Sequence, residues 1–324
     1  MKRTQVQPHG KLTPLTVPEV DELLNSFKID PLDQVTNKKS IRIEEICQKI
    51  DEASHQMEMI FQEIARTRLV PIQEIKREIL PTIIQAAEIP HLYHLFYELN
   101  EKDEYTYRHT ICVGIIATIM GKWLGLNTKE MEELTLGATL HDIGKTVVPK
   151  EILNKPGPLT QEEYEEMKKH TMYGYELLKQ IDGISERVAL VALQHHERED
   201  GKGYPFQLQG HELDVFSKIV AIADVFHAMS SARVYHQAEP FYVVIQQMKK
   251  DVFGKFDPNI MLIFLFKMMD SLVGRRVLLT DGSIGSIVMI HPYDPLKSLI
   301  RLDDQLIDLR YNTSLQIARI LDDR

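Results

Sequence analysis

Two short segments of the chain hold side chains of the types that do chemistry together. In LGATLHDIGK, His141 and Asp142 are adjacent and are followed by Gly144 and Lys145. An imidazole beside a carboxylate suits borderline divalent metals such as iron, manganese or zinc. Buried without a metal or internal partners, such a pair would cost several kcal/mol. On its own the pair reads equally as a helix-end histidine making a hydrogen bond. In QHHEREDGKGYP, residues 194–205, His195 and His196 close a helical run and a glycine-rich loop follows. Neighbouring residues on a helix point about 100° apart. The two rings are therefore expected at neighbouring positions of a two-metal cluster, rather than together on one tetrahedral ion. Gly201 and Gly203 allow positive φ, and Pro205 stiffens the chain, so that the loop can hold Tyr204 in a fixed place. Alone, that loop also reads as a surface turn.

The elements that must position these residues are mostly helical. Apolar residues at Ile43, Ile46, Cys47, Ile50, Met57, Ile60, Phe61 and Ile64 follow the three-and-four spacing of an amphipathic helix. Helical patterning resumes at Ile72 and continues to about Leu272, broken at Asn154–Pro158 and Asp200–Pro205. After Val273 the texture changes to short β-branched runs, RRVLLT, SIGSIVMI, SLIRL and LQIARIL, with Asp281-Gly282 as a hairpin signal between the first two. The expected architecture is mainly α, with residues 1–38 a partly ordered leader, 39–100 a helical N-terminal region, 101–272 the catalytic domain and 273–324 a small β-rich module. The stripe of Met261, Phe264, Leu265, Met268 and Met269 reads as core, and the glutamates of 162–166 read as a solvated helix start.

Composition excludes several classes. With 44% hydrophobic and 26% charged residues the chain is that of an ordinary globular protein, and a net charge of −9 gives no global field for a DNA or RNA polymer. Cys47 and Cys112 are too few for a disulfide framework or a thiolate zinc site, which fits a reducing compartment. The N-terminus lacks the apolar stretch of a signal peptide, and the longest apolar run, Met261 to Met269, is far short of the ~20 residues that span a bilayer. A cytoplasmic location and no membrane contact are expected.

Six segments in order resemble the HD-GYP family of the HD phosphohydrolase superfamily: EKDEYTYRHT (101–110), LHDIGKTVVP (140–149), ILNKPGPLTQEE (152–163), KKHTMYGYELL (168–178), HHEREDGKGYP and IADVFHAMSSARVY (222–235). The resemblance covers about residues 96–270. It implies an HD-domain helical bundle and a metal-dependent phosphodiesterase acting on cyclic di-GMP. Carried over position by position, it places the metal ligands on His109, His141, Asp142, His170, His195, His196 and Asp224. Asp142 is then expected to bridge two metals with a hydroxide between them.

Family members that hold three metals carry a glutamate where this chain has Tyr105, and Glu104, five residues before His109, is turned about 140° from it on a helix. Two divalent ions are therefore expected, iron or manganese favoured and zinc allowed, with linear pGpG as the product. Asp142 and Lys145 are the expected catalytic residues, Lys145 neutralising charge on the phosphoryl oxygens. Lys145, Gly203, Tyr204, Arg233 and His236 are the expected substrate contacts, with Arg233 a fork for phosphate. His227, Ala232 and His236 depart from the family's usual Asp, Asp and basic residue, which bears on substrate contacts more than on metals. Hydrolysis of another cyclic dinucleotide, or a catalytically weak module that binds a dinucleotide or a partner protein, are the alternatives. The N-terminal stripe packs either on the catalytic bundle or on a second copy as a homodimer.

Overall fold

A computed structural model describes residues 36–89, 106–231, 241–312 and 314–321. Helix α1 runs Thr36–Thr67 and is followed by a helical turn Ile72–Glu74, a π-helical turn Ile75–Ile79 and α2, Leu80–Ala86. Next come α3 (Thr106–Trp123), α4 (Thr128–Leu140), a 3-10 turn (Ile143–Thr146), α5 (Gln161–Lys168), α6 (His170–Lys179), α7 (Glu186–Gln194) and α8 (Val215–Ser230). Helices α9 (Phe241–Lys250) and α10 (Pro258–Asp270) lead into strands β1 (Arg276–Leu279), β2 (Ile284–His291), β3 (Asp294–Leu302), β4 (Gln305–Asp308) and β5 (Ile317–Leu321).

Local chemistry starts these helices where they begin. Asn127 and Thr160 each accept the backbone N–H three residues on, while Glu130 and Glu163 reach back to the cap N–H, so two orphan donors are satisfied at the head of α4 and of α5. Asp214 and Asp257 cap α8 and α10, with Pro258 in the first turn. The glutamates of 162–166 lie on α5, which buries none of its residues fully.

Helix α3 is buried on nearly every face from Ile111 to Met120, as an apolar helix at the centre of a bundle must be. It packs between α1, α4 and α8. The apolar stripe of α1, from Ile46 to Ile64, is buried in this same core, so it meets its own chain. The Met261, Phe264, Leu265, Met268 and Met269 stripe of α10 is wholly buried, as its spacing predicts.

The five strands form one antiparallel sheet in the order β4-β3-β2-β1-β5. Val277 pairs with Gly285 and Ile320, and Ile300 with Ile287 and Ile307. Its buried residues join the helical core, and Tyr242 on α9 donates its hydroxyl to the Leu296 carbonyl (3.2 Å). At the first hairpin only Gly282 takes positive φ (87°); Asp281 instead accepts the Ser283 N–H on its side chain, which fixes the turn without left-handed backbone. Strand β4 lies outside the four runs expected as strands, and β3 begins at Asp294, four residues before SLIRL. Helix α1 starts at Thr36, inside the expected leader. No helix among the described residues is long and apolar enough to cross a membrane.

Candidate functional site

Helix ends converge on one point of the bundle. Helix α4 stops at Leu140 and delivers His141 and Asp142; α6 opens on His170; α7 stops at Gln194 and delivers His195 and His196. Helices α3 and α8 add His109 and Asp224 from their sides. Gly144 makes the convergence sterically feasible, because a Cβ there would stand 1.8 Å from the His170 carbonyl oxygen and 2.5 Å from the Gly174 nitrogen. The 3-10 turn therefore lies directly on the start of α6 and brings Asp142 beside His170.

Asp142 is the hub. Its Oδ1 lies 3.4 Å from His170 Nε2 and 3.8 Å from His195 Nε2, and its Oδ2 lies 3.3 Å from His141 Nε2 and 2.5 Å from Lys145 Nζ. Ligand atoms of Asp142, His170, His195 and His196 fall within 4.8 Å of one another, and so do those of His109, His141 and Asp142. Asp142 belongs to both groups. Asp224 stands next to the second, with Oδ1 3.0 Å from His109 Nε2. His195 and His196 thus share one group, contrary to the expectation from a 100° helical step. The α-helix ends at Gln194, His195 keeps helical backbone (φ −62°, ψ −15°), and the two ring centroids lie 4.1 Å apart.

The same helix ends set the tautomers. His141 Nδ1 lies 2.7 Å from the Ala138 carbonyl, His170 Nδ1 2.7 Å from that of Met167, and His195 Nδ1 3.0 Å from that of Ala192. These carbonyls lie in the last turns of α4, α5 and α7, where the helical N–H groups run out. Each takes the Nδ1 proton and leaves Nε2 as a lone pair aimed inward, as metal-binding histidines require.

His141 Nε2 and Asp142 Oδ1 are buried with no hydrogen-bond partner, a costly arrangement for protein atoms alone. Burial, then His196 and the other rings, hold the His195 imidazole well below its ordinary pKa; burial above all takes that of His196 down to about 3. Burial also lowers His170 and His109. It works against His141 too, but neighbouring Asp142 outweighs it and raises that ring. Burial pushes the Asp142 and Asp224 carboxyls up, yet Lys145 and the histidines at Asp142, and His109, His141 and His196 at Asp224, outweigh it and keep both well below the carboxylate range. Mostly neutral imidazoles around ionised carboxylates, with orphaned atoms between them, fit a divalent cation centre.

The loop after His196 closes one side. Tyr204 lies with its ring 4.7 Å from that of His196 and its N–H on the His196 carbonyl, and burial raises its phenol. Gly201 takes positive φ (68°), but Gly203 does not. Gly203 is needed for close approach instead, since a Cβ would stand 2.4 Å from Glu197 Cα. Glu197, buried, accepts the N–H groups of Phe206 (2.6 Å) and Leu208 (3.1 Å) and so ties the loop down. Lys168 lies over the rings of Tyr164 and Tyr204, 5.4 and 5.8 Å from their centroids.

Sequence reasoning missed Glu197, Lys168 and Tyr164 in these roles. It associated His227 with substrate contacts, whereas the structure sets that ring against His109. The spacing of three residues after Asp224 was the available signal. Tyr105, Ala232, Arg233 and His236 lie outside the described residues.

A family model described as HD domain matches residues 93–260. The chain belongs to the HD-domain family, in its HD-GYP branch. It is 33% identical over 221 residues to a cyclic di-GMP phosphodiesterase of Pseudomonas aeruginosa, covering 65% of this chain and 53% of that protein. It is 38% identical over 163 residues to 3'3'-cGAMP-specific phosphodiesterase 1 of Vibrio cholerae, covering 50% of this chain and 38% of that protein. The chain thus spans about half the length, or less, of these curated relatives. An HDG"Y"P protein from Bdellovibrio bacteriovorus shares the fold, with a TM-score of 0.50, 18% identity and coverage of 77% and 78% of the two chains.

Proposed function

We propose that this chain is a phosphodiesterase that hydrolyses cyclic di-GMP to linear pGpG at a two-metal centre. The observation that carries it is Asp142, buried and partly unpartnered, shared by two groups of ligand atoms. His170, His195, His196 and Asp142 would hold one ion; His109, His141, Asp142 and Asp224 the other. A donor set of imidazole and carboxylate without thiolate suits iron or manganese, with zinc allowed. Two such ions, when bound, lower the pKa of a water enough to make it a nucleophile at neutral pH.

The protein's own groups do the rest. Lys145, paired with Asp142 and with its side chain 26% exposed, would offset negative charge on a phosphoryl oxygen. Gly203 and Tyr204 form the wall against His196. Arg233 and His236 are proposed as further phosphate contacts. Water adds across one P–O3′ bond: the hydroxyl stays on phosphorus, the proton goes to O3′, and the ring opens to pGpG.

A second cyclic dinucleotide substrate, 3'3'-cGAMP, is favoured by the likeness to the Vibrio cholerae enzyme named for it. The proposed catalytic unit is 101–272, with 39–100 as a helical support and 273–324 as a β module, in a cytoplasmic protein. Because the α1 stripe is engaged within the chain, a homodimer through the N-terminal helices would use the outer faces.

The test is metal content and product analysis on both dinucleotides, with anaerobically purified protein and an Asp142→Ala variant. About two ions per chain and pGpG from cyclic di-GMP, both lost in the variant, are expected. Bound metal with cyclic di-GMP left intact would reject the substrate, and cleavage of 3'3'-cGAMP alone would replace it.

A further inference from the structure

His109 differs from the other converging histidines in how its outer nitrogen is held. His141, His170 and His195 rest Nδ1 on carbonyls at or beyond helix ends. His109 sits inside α3, where neighbouring carbonyls serve the helix's own N–H groups. Its Nδ1 meets a side chain instead: His227 Nδ1, 2.8 Å away, from the last turn of α8. The two rings lie 5.0 Å apart, and His227 is 6% exposed, so water does not replace that contact.

We infer that His227 is the positioning residue that fixes the tautomer and angle of His109 for the second ion. The inference rests on the two-metal reading above. A hydrogen bond between two Nδ1 atoms needs one donor and one acceptor. When Nε2 of His109 gives its lone pair to an ion, the ring proton must sit on Nδ1, and His227 Nδ1 must accept it. The proton of neutral His227 then lies on Nε2. Ser231 Oγ, 3.1 and 3.2 Å from the two nitrogens of His227, can serve whichever one His109 leaves. With no ion bound, the pair can reverse: His109 Nε2–H donates to Asp224, and His227 Nδ1–H donates to His109. Imidazole suits both states because it can either donate or accept at Nδ1, which a carboxylate or an aliphatic side chain cannot.

The test is a Mn2+ titration of the metal-free full chain, with stoichiometry and affinity read by calorimetry and melting curves in parallel. His227→Phe fills the ring volume without its nitrogens; His227→Asn restores an acceptor and a donor. The expected result is two ions on the wild type. In His227→Phe one site should stay unchanged and the other weaken by about 10–100-fold, the usual effect of losing an outer partner of a ligand. His227→Asn should recover the second site. His227→Leu replaces His227→Phe should the latter not fold. Unchanged binding of both ions by the Phe or Leu variant would overturn the inference, as would equal loss in the Asn variant, which would point to packing alone. Wild-type protein binding fewer than two ions would defeat the two-metal reading itself, and the assignment to His227 with it.

Discussion

Replacing Gly144 by alanine tests how the site is assembled without touching any proposed ligand. A Cβ at this position would lie 1.8 Å from the His170 carbonyl oxygen, where ordinary contact begins at 3.4 Å, so the 3-10 turn and α6 must separate by roughly 1.6 Å. Both obstacles, His170 O and Gly174 N, are backbone, and no rotamer change relieves them. The Asp142 Oδ1 to His170 Nε2 distance of 3.4 Å would open by a similar amount, too far for both atoms to bind one ion at about 2 Å. Overpacking of this kind costs about 1–3 kcal/mol. Urea unfolding of the metal-free variant should show that loss, and Mn2+ titration should show loss of the ion held by His170, His195 and His196. A variant that unfolds within about 0.5 kcal/mol of wild type, the usual range for a neutral substitution, and still binds both ions would refute the claim that this close approach positions His170.

Three further outcomes are expected. Glu197→Ala leaves the Phe206 and Leu208 N–H groups without their acceptor, so stability should fall by about 1–3 kcal/mol and limited proteolysis should begin in the 201–208 loop. Lys145→Ala should keep metal content while lowering kcat by about 100-fold, measured by pGpG formation. In the metal-free protein His196 titrates at about 3 and His195 well below the ~6.5 of an unfolded histidine, so the unfolded chain binds more protons between those values. Stability from these groups is therefore full above about pH 6.5 and lost as pH falls towards 3. The raised pKa of His141 offsets part of this, so Tm should decline from pH 7 to pH 5, less steeply in His196→Gln.

Much of this was legible in the sequence because it is local. The stripes of α1 and α10, the helix start at the glutamates of 162–166 and the Asp281-Gly282 hairpin each lie within a short stretch of chain. The converging histidines were legible only through six family-like segments, since no spacing rule brings α3, α4, α6, α7 and α8 to one point. What stayed hidden depends on contacts between distant parts of the chain. His109 and His227 are 118 residues apart, and the Gly144 contact with His170 requires the two elements to be docked first. The shared group of His195 and His196 differs from the expectation because the 100° helical step fixes where the two Cβ atoms point, not where the ring nitrogens end up. Strand β4, Gln305–Asp308, takes its place from pairing with β3, a contact that its own four residues do not announce.

Anomalous diffraction from crystals of the Mn2+-loaded protein tests the central claim most directly. Two peaks are expected, one contacting Asp142, His170, His195 and His196, the other contacting Asp142, His109, His141 and Asp224. A single peak, or two peaks that do not share Asp142, would contradict it.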